Sequence, residues 1–175
     1  MADFTRLSNY ELNDEYYTPK SAWKQISHLI PNDKIIWESF LLNSIKSNSM
    51  KYLQELGKNV IGDTTWDFLK ETPEYDIIVS NPPFNKSIKI PILTRLVELD
   101  KPFIIIMNVC NIFSNYFNEI FKYTRQHLQI IYPRGKLHFE KLLADGTTEV
   151  KKNTSFYCCY VCYKMDIPSD NIFLD

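Results

Sequence analysis

Glycine is scarce in this chain: four residues of 175, and none between Met1 and Leu56. Few positions are left for unstrained left-handed turns or for close approach of backbone to phosphate, which argues against a glycine-rich nucleotide loop. An excess of charge is lacking too. With a formal net charge of -1, any nucleic-acid contact falls to a local patch of lysine and arginine, and affinity for a bare duplex should be modest. Apolar runs are short; the longest, around Pro102 to Met107, falls far below the about 20 residues needed to span a bilayer. The first residues, "MADFTRLSNYELNDEYY", are polar and acidic rather than basic and then apolar, so an intracellular protein is expected, with no membrane partner. Metal-ligand spacing is missing as well. His28, His127 and His138 are scattered, and although Cys158, Cys159 and Cys162 lie close together, "SFYCCYVCYKM" is aromatic and β-prone. Along a strand Cys159 and Cys162 point to opposite faces, so these and Cys110 read as free thiols, those of the strand buried, and no metal site is expected.

What is present is apolar mass in short, regular pieces. A content of 45% hydrophobic and 14% aromatic residues is enough to fill the core of one domain. Residues 1–15 lack a period and read as a mobile arm; 16–175 read as a single domain. In "TPKSAWKQISHLI", Thr18 is placed to cap and Pro19 to open a helix running to about Ile30, with Trp23, Ile26, Leu29 and Ile30 at helical spacing. Then "KIIWESF" reads as a strand, "SMKYLQELG" as a helix stopped by Gly57, "NVIG" and "YDIIVS" as strands, "KIPILTRLVEL" as a helix and "PFIIIMNV" as a strand. "NYFNEIFKYTRQH" is helical, whereas "LQIIYPRG", "KLHFEK" and "TSFYCCYVCYKM" are extended. Short apolar runs alternating with helices give an α/β three-layer sandwich with a mostly parallel sheet. The closing extended segments, with no helix between them, are expected to pair antiparallel at one edge. Ligands of such sheets bind beyond the carboxyl ends of the strands, near the switch in strand order.

One strand of that pattern ends in "DIIVSNPPFNK", residues 76–86. Pro82 and Pro83 fix the backbone and offer no donors, so the exit from the strand is rigid. Asn81 then presents a carboxamide oxygen and Pro82 a carbonyl oxygen at a nearly fixed separation, two acceptors that suit one NH2 group. Phe84 adds a flat face for a base, a contact worth roughly 1–3 kcal/mol. An amine conjugated to a purine is a poor nucleophile; acceptors on its hydrogens draw the nitrogen towards tetrahedral geometry and stabilise the charge that grows on it during attack.

Ser80-Asn81-Pro82-Pro83-Phe84 resembles the (D/N/S)-P-P-(Y/F) motif of class I, S-adenosylmethionine-dependent amino-methyltransferases, above all the adenine-N6 DNA methyltransferases. Tyr17-Thr18-Pro19 is similar to the (F/Y)-x-T-P segment that in those enzymes helps hold the methionine part of the cofactor. "IIWESF", with Glu38 and Phe40, is similar to their E-P-F-x-G-x-G after the first strand. Asp63 stands where the family places an acid on the cofactor ribose, and Asp67-Phe68 resembles the pair that borders the cofactor adenine. The order matches over roughly residues 14 to 165, and "RGKLHFEK" and "TSFYCCYVCYKM" resemble the closing strands of small adenine methylases from phages and large DNA viruses.

The resemblance implies a Rossmann-like fold without a separate target-recognition domain, and a viral origin. It further implies S-adenosyl-L-methionine as cofactor and transfer of methyl to N6 of adenine in DNA. Asn81, Pro82, Pro83 and Phe84 would be catalytic; Tyr17, Thr18, Pro19, Glu38, Phe40, Asp63, Asp67, Phe68 and Asn81 would hold the cofactor. Loops 111–118 and 140–153, or a partner chain or second copy, would select the target. The departure is the loop after Glu38, which has no glycine; Asn43 or Asn48 would have to adopt the left-handed conformation instead. That departure keeps open a methyltransferase-like subunit that binds nucleic acid or a catalytic partner without activity of its own. RNA amines and protein glutamine amides are further substrates of such motifs. Plainer roles stand beside each assignment: Glu38 paired with a lysine, Asp63 in a turn, Asp67 as a cap, Tyr17 in the core, and Lys86 and Lys89 as solvated lysines rather than phosphate contacts.

Overall fold

A computed structural model describes residues 16–41, 48–83, 85–142, 148–151, 156–169 and 171–174. The mobile arm expected over 1–15, together with Asn43 and Phe84, lies outside the described residues. The elements run in the order β1 (Tyr16–Tyr17), α1 (Lys20–Ile26), β2 (Ile35–Trp37), α2 (Ser49–Glu55), β3 (Asn59–Ile61), β4 (Ile77–Ser80) and α3 (Lys86–Leu99). There follow β5 (Phe103–Asn108), α4 (Asn115–Ile120), β6 (Leu128–Tyr132), β7 (Glu140–Leu142), β8 (Thr148–Val150), β9 (Cys158–Tyr163) and β10 (Asn171–Phe173).

Seven strands form the main sheet in the order β10-β6-β9-β5-β4-β2-β3. All its pairings are parallel except those of β9, which runs antiparallel to β5 on one side and β6 on the other. The α/β sandwich with a mostly parallel sheet is therefore as expected, but the antiparallel strand is not at the edge. It is inserted between β5 and β6, and the edge is the parallel strand β10. Burial explains the insertion: all six residues of Cys158–Tyr163 are buried, so this strand must be covered on both faces and flanked on both sides. Cys158 and Cys162 join the core on one face, Cys159 that on the other, and the three thiols are free and buried, while Cys110 is exposed.

One face of the sheet packs on α1 and α2 through Trp23, Ile26 and Leu53, the other on α3 and α4 through Leu93, Leu96, Phe117 and Phe121. Tyr160 ties the layers together by donating its hydroxyl to the Ala22 carbonyl at 2.7 Å. Helix α1 starts one residue later than the sequence predicts and gives way to a 3-10 turn at Ser27–Leu29; Pro19 is the N-cap and no side chain caps it, so Thr18 does not serve as a cap. Gly57 ends α2 with φ +80 as expected, but Asn48, at φ -88, is not left-handed. Where α3 ends, Asp100 takes the left-handed position (φ 51) that glycine commonly fills. Its carboxylate accepts from the Tyr163 hydroxyl at 2.7 Å and Lys164 Nζ at 2.6 Å, which holds this less favoured backbone in place.

A second, three-stranded antiparallel sheet, β1-β7-β8, pairs Tyr16 with Lys141 and Glu140 with Val150. "KLHFEK" belongs to this sheet and not to the main one. Tyr16 packs edge to face on Phe139 and Phe156 beneath it, and the two phenyl rings are tilted on each other, with ring centroids 5.5 to 6.2 Å apart.

Candidate active site at the strand switch

From β2 the chain goes to β3 on one side and later to β4 on the other, so the switch in strand order lies between β2 and β4. Trp37 pairs with Ile78 across that boundary, which brings the residues just beyond, Glu38 and Ser80-Asn81, to the same carboxyl edge. Three buried residues of β4, Ile77 to Val79, give way there to polar ones.

Glu38 is only 3% exposed and has no lysine beside it among the described residues; one carboxylate oxygen accepts a hydrogen bond from the Ser80 hydroxyl and from the Phe40 N–H at 3.4 Å. Burial pushes its pKa up to about 7, against the lowering effect of these two hydrogen bonds. The second oxygen, Oε2, is buried without a hydrogen-bond partner among the described residues, and the same is true of Thr18 Oγ1, Ser39 Oγ and Asn81 Oδ1. Asn81 itself is held by its amide nitrogen, which donates to the Tyr16 carbonyl at 3.5 Å, leaving Oδ1 as the unmatched end. Two orphaned acceptors, Glu38 Oε2 and Asn81 Oδ1, and two hydroxyls that can donate or accept, Thr18 Oγ1 and Ser39 Oγ, leave polar demand that the described residues do not meet. Protonated amines and hydroxyls are what this set can take.

The remaining predicted residues spread from that centre. Tyr17 is buried in β1, and Pro19 is buried at the start of α1. Phe40 lies against Phe68, ring centroids 4.9 Å apart, and Phe68 is in turn backed by Trp37 at 5.3 Å. Phe68 is 3% exposed and its carbonyl accepts from Arg95 Nε at 2.7 Å, so it supports the Phe40 ring from inside. Asp63 is exposed and closes a turn: one oxygen accepts from Thr65 N–H and hydroxyl at 2.7 and 2.6 Å, which lowers its pKa. Asp67 accepts from Leu69 N–H at 3.0 Å and pairs with Lys70 at 2.9 Å, the local capping role. Pro82 is buried and Pro83 half-buried, and α3 starts behind Asn85, whose side chain accepts from Ser87 N–H at 3.0 Å. Lys89 is not a solvated lysine on that helix. It is buried, and burial lowers its pKa.

Two residues that sequence reasoning passed over belong to the site. Ser80 orients Glu38, and its signal was a hydroxyl ending the run Ile-Ile-Val. Gly62, just past β3, lets the segment after Glu38 pack closely: a Cβ there would lie 2.8 Å from the Glu38 carbonyl oxygen and 2.6 Å from Leu41 Cδ1. Leu41 can rotate, but the Glu38 carbonyl is backbone and must shift. Gly62→Ala is therefore expected to weaken ligand binding at the strand switch about tenfold, with the fold retained, measurable by calorimetry beside far-ultraviolet circular dichroism.

At the opposite end of the sheet a shallow cleft of about 230 Å³ lies between Gln126, His127, Gln129, Lys164, Asp166 and Ile167. Gln129 Nε2 is already bonded to the carbonyls of Ile167 and Ser169 at 2.6 and 2.7 Å, so this cleft presents no comparable demand.

No protein-family profile matches the sequence, and no curated protein matches it. Solved structures do. One described as a class I S-adenosylmethionine-dependent methyltransferase from Listeria monocytogenes superposes with TM-score 0.51 at 10% identity, covering 94% of this chain and 66% of that one. A Thermotoga maritima S-adenosylmethionine-dependent O-methyltransferase gives 0.43 at 10% identity, over 90% and 69%. A Plasmodium falciparum dimethyladenosine transferase gives 0.45 at 11% identity, over 85% and 62%. The chain spans about two thirds of the length of the first of these. That first likeness fixes the architecture: the chain has the Rossmann-like fold of class I S-adenosylmethionine-dependent methyltransferases.

Proposed function

We propose that the chain is an S-adenosylmethionine-dependent methyltransferase acting on N6 of adenine in DNA. The observation that carries the reading is the orphaned Asn81 Oδ1 at the carboxyl edge of β4, beside an equally orphaned Glu38 Oε2 at the edge of β2. Their chemistry suits the two ligands that the reaction needs. A buried carboxylate oxygen without a donor fits the ammonium of a methionine moiety, and the hydroxyls of Thr18 and Ser39 can meet its remaining polar atoms. Phe40, backed by Phe68, offers a wall for the cofactor's adenine, which Asp67 would border, and Asp63 lies in the segment beyond β3 where its ribose would be held.

When bound, the cofactor would supply an electrophilic methyl on a positively charged sulfur, with a neutral thioether as the leaving group for attack by the N6 lone pair. Every other part falls to residues of this chain. Asn81 Oδ1 and the Pro82 carbonyl accept the two amine hydrogens, drawing the lone pair out of conjugation and stabilising the positive charge that develops on nitrogen. Pro82 and Pro83 keep those acceptors fixed, so little reorganisation is left to the reaction itself. Phe84, by its place in the motif, takes the stacking role. The surplus proton of the product leaves to water, and no base with a tuned pKa is required.

The test is direct: incubate the protein with S-adenosylmethionine and adenine-containing DNA, digest to nucleosides, and analyse by mass spectrometry. N6-methyldeoxyadenosine supports the reading. Its absence, with cofactor binding intact, would move the acceptor to another amine.

A further inference from the structure

We infer that the rim around this site is a docking surface for single-stranded DNA, with Tyr157 and Phe113 stacking on bases beside the target; the inference rests on the DNA-methylation reading above. Large apolar side chains on a surface usually gain some cover, yet Phe113 is 80% and Tyr157 63% exposed. Both stand past the carboxyl edge of the main sheet. Tyr157 immediately precedes β9, whose first residue Cys158 pairs with Asn108 at the end of β5; Phe113 closes the 3-10 turn that leaves β5. The two segments are joined where Val109 N–H donates to the Tyr157 carbonyl at 2.9 Å. The aromatic pair therefore stands at the same carboxyl edge of the sheet as Asn81 and Glu38.

Cations accompany the rings. Lys136 Nζ stands 4.9 Å from the Tyr157 ring centroid, and Lys86, two residues beyond Phe84, 5.5 Å from that of Tyr116. A lysine over an aromatic face is a place where a base can stack and a phosphate can be neutralised together. Few such pairs, on a chain of net charge -1, suit a flexible strand that offers its base faces. They do not suit a duplex, which hides those faces and is held mainly by many phosphate contacts. An unpaired strand also spares the cost of extruding the target base. The turn Val109–Phe113 falls on this rim, which gives it a role in holding the strand rather than reading a duplex.

The measurement is fluorescence anisotropy of a labelled adenine-containing DNA 12-mer with the full chain, as single strand, as duplex and as the RNA of the same sequence. The single DNA strand is expected to bind at least about tenfold more tightly than the duplex and no less tightly than the RNA. Phe113→Ala and Tyr157→Ala should each weaken it on the order of tenfold, whereas Tyr157→Phe, which keeps the stacking face, should not. Tyr123→Ala is the control, because Tyr123 is 82% exposed beside Lys122 but lies ahead of β6 at the opposite end of the sheet. Equal binding of the duplex, tighter binding of the RNA, or unchanged affinity in both alanine variants would overturn the inference. Cofactor titration of the same preparations separates the two ideas: bound cofactor without bound strand removes the rim alone, and bound strand without cofactor removes the methyltransferase reading alone.

Discussion

Asn81→Ala is expected to lower the rate of methyl transfer by about 10²–10³-fold, the scale seen when one preorganised hydrogen-bonding group is taken from a transition state. The cofactor dissociation constant should hardly change. Asn81 Oδ1 has no partner among the described residues, so the folded protein loses no internal bond to that atom; only the weak 3.5 Å donation to the Tyr16 carbonyl goes. The effect should therefore fall on turnover rather than on stability. Asn81→Asp retains the acceptor, and is expected to keep activity within about tenfold of the parent. Single-turnover rates at saturating cofactor distinguish these outcomes. Equal rates in parent and Asn81→Ala would remove the carboxamide from the mechanism.

The second large effect is on stability and has the opposite sign from the effect on binding. Glu38→Gln should make the ligand-free protein more stable at about pH 8, by up to about 3 kcal/mol, while weakening cofactor binding about 10- to 100-fold. In the folded state the Glu38 pKa stands at about 7, against an ordinary value of 4.5. Between those values the folded protein holds more protons than the unfolded chain, so the stability linked to Glu38 is full below about pH 4.5 and is lost as pH rises through about 7. Glutamine carries no charge to desolvate and can still accept from Ser80, so the variant escapes that loss. Urea unfolding across this range should show parent and variant alike near pH 4.5, separating as pH rises to about 7, and keeping a constant gap above it. A variant less stable than the parent at pH 8 would show that the buried carboxylate is compensated by a partner not in the described structure. This pattern, a destabilising group kept where function needs it, is common at ligand sites.

Much of the architecture was legible because it is written locally. The runs Ile77–Ser80 and Phe103–Asn108 are continuous apolar segments of strand length, and Lys86–Leu99 has the length and spacing of a helix. Strand order is not local. Nothing in "TSFYCCYVCYKM" says that it inserts between two earlier strands, and the two residues of β1 could be recognised only through their pairing with β7. The place of Asn81-Pro82-Pro83 at the end of β4 was legible for a related reason, since prolines impose their geometry wherever they stand. The part played by Gly62 was not, because the need for a missing Cβ arises from the approach of the Glu38 carbonyl, a contact between separate segments. Lys89 misled for the same cause: its burial is set by packing and not by its own sequence neighbours.

The same carboxylate gives the most direct test of the whole account. Isothermal titration with S-adenosylmethionine at about pH 8 should give micromolar affinity, and because only the ionised Glu38 can hold the cofactor's ammonium, affinity should fall about tenfold per pH unit below pH 7. Micromolar binding with that dependence is what the buried, half-satisfied Glu38 predicts. No heat of binding up to millimolar cofactor, or an affinity indifferent to pH, would contradict it.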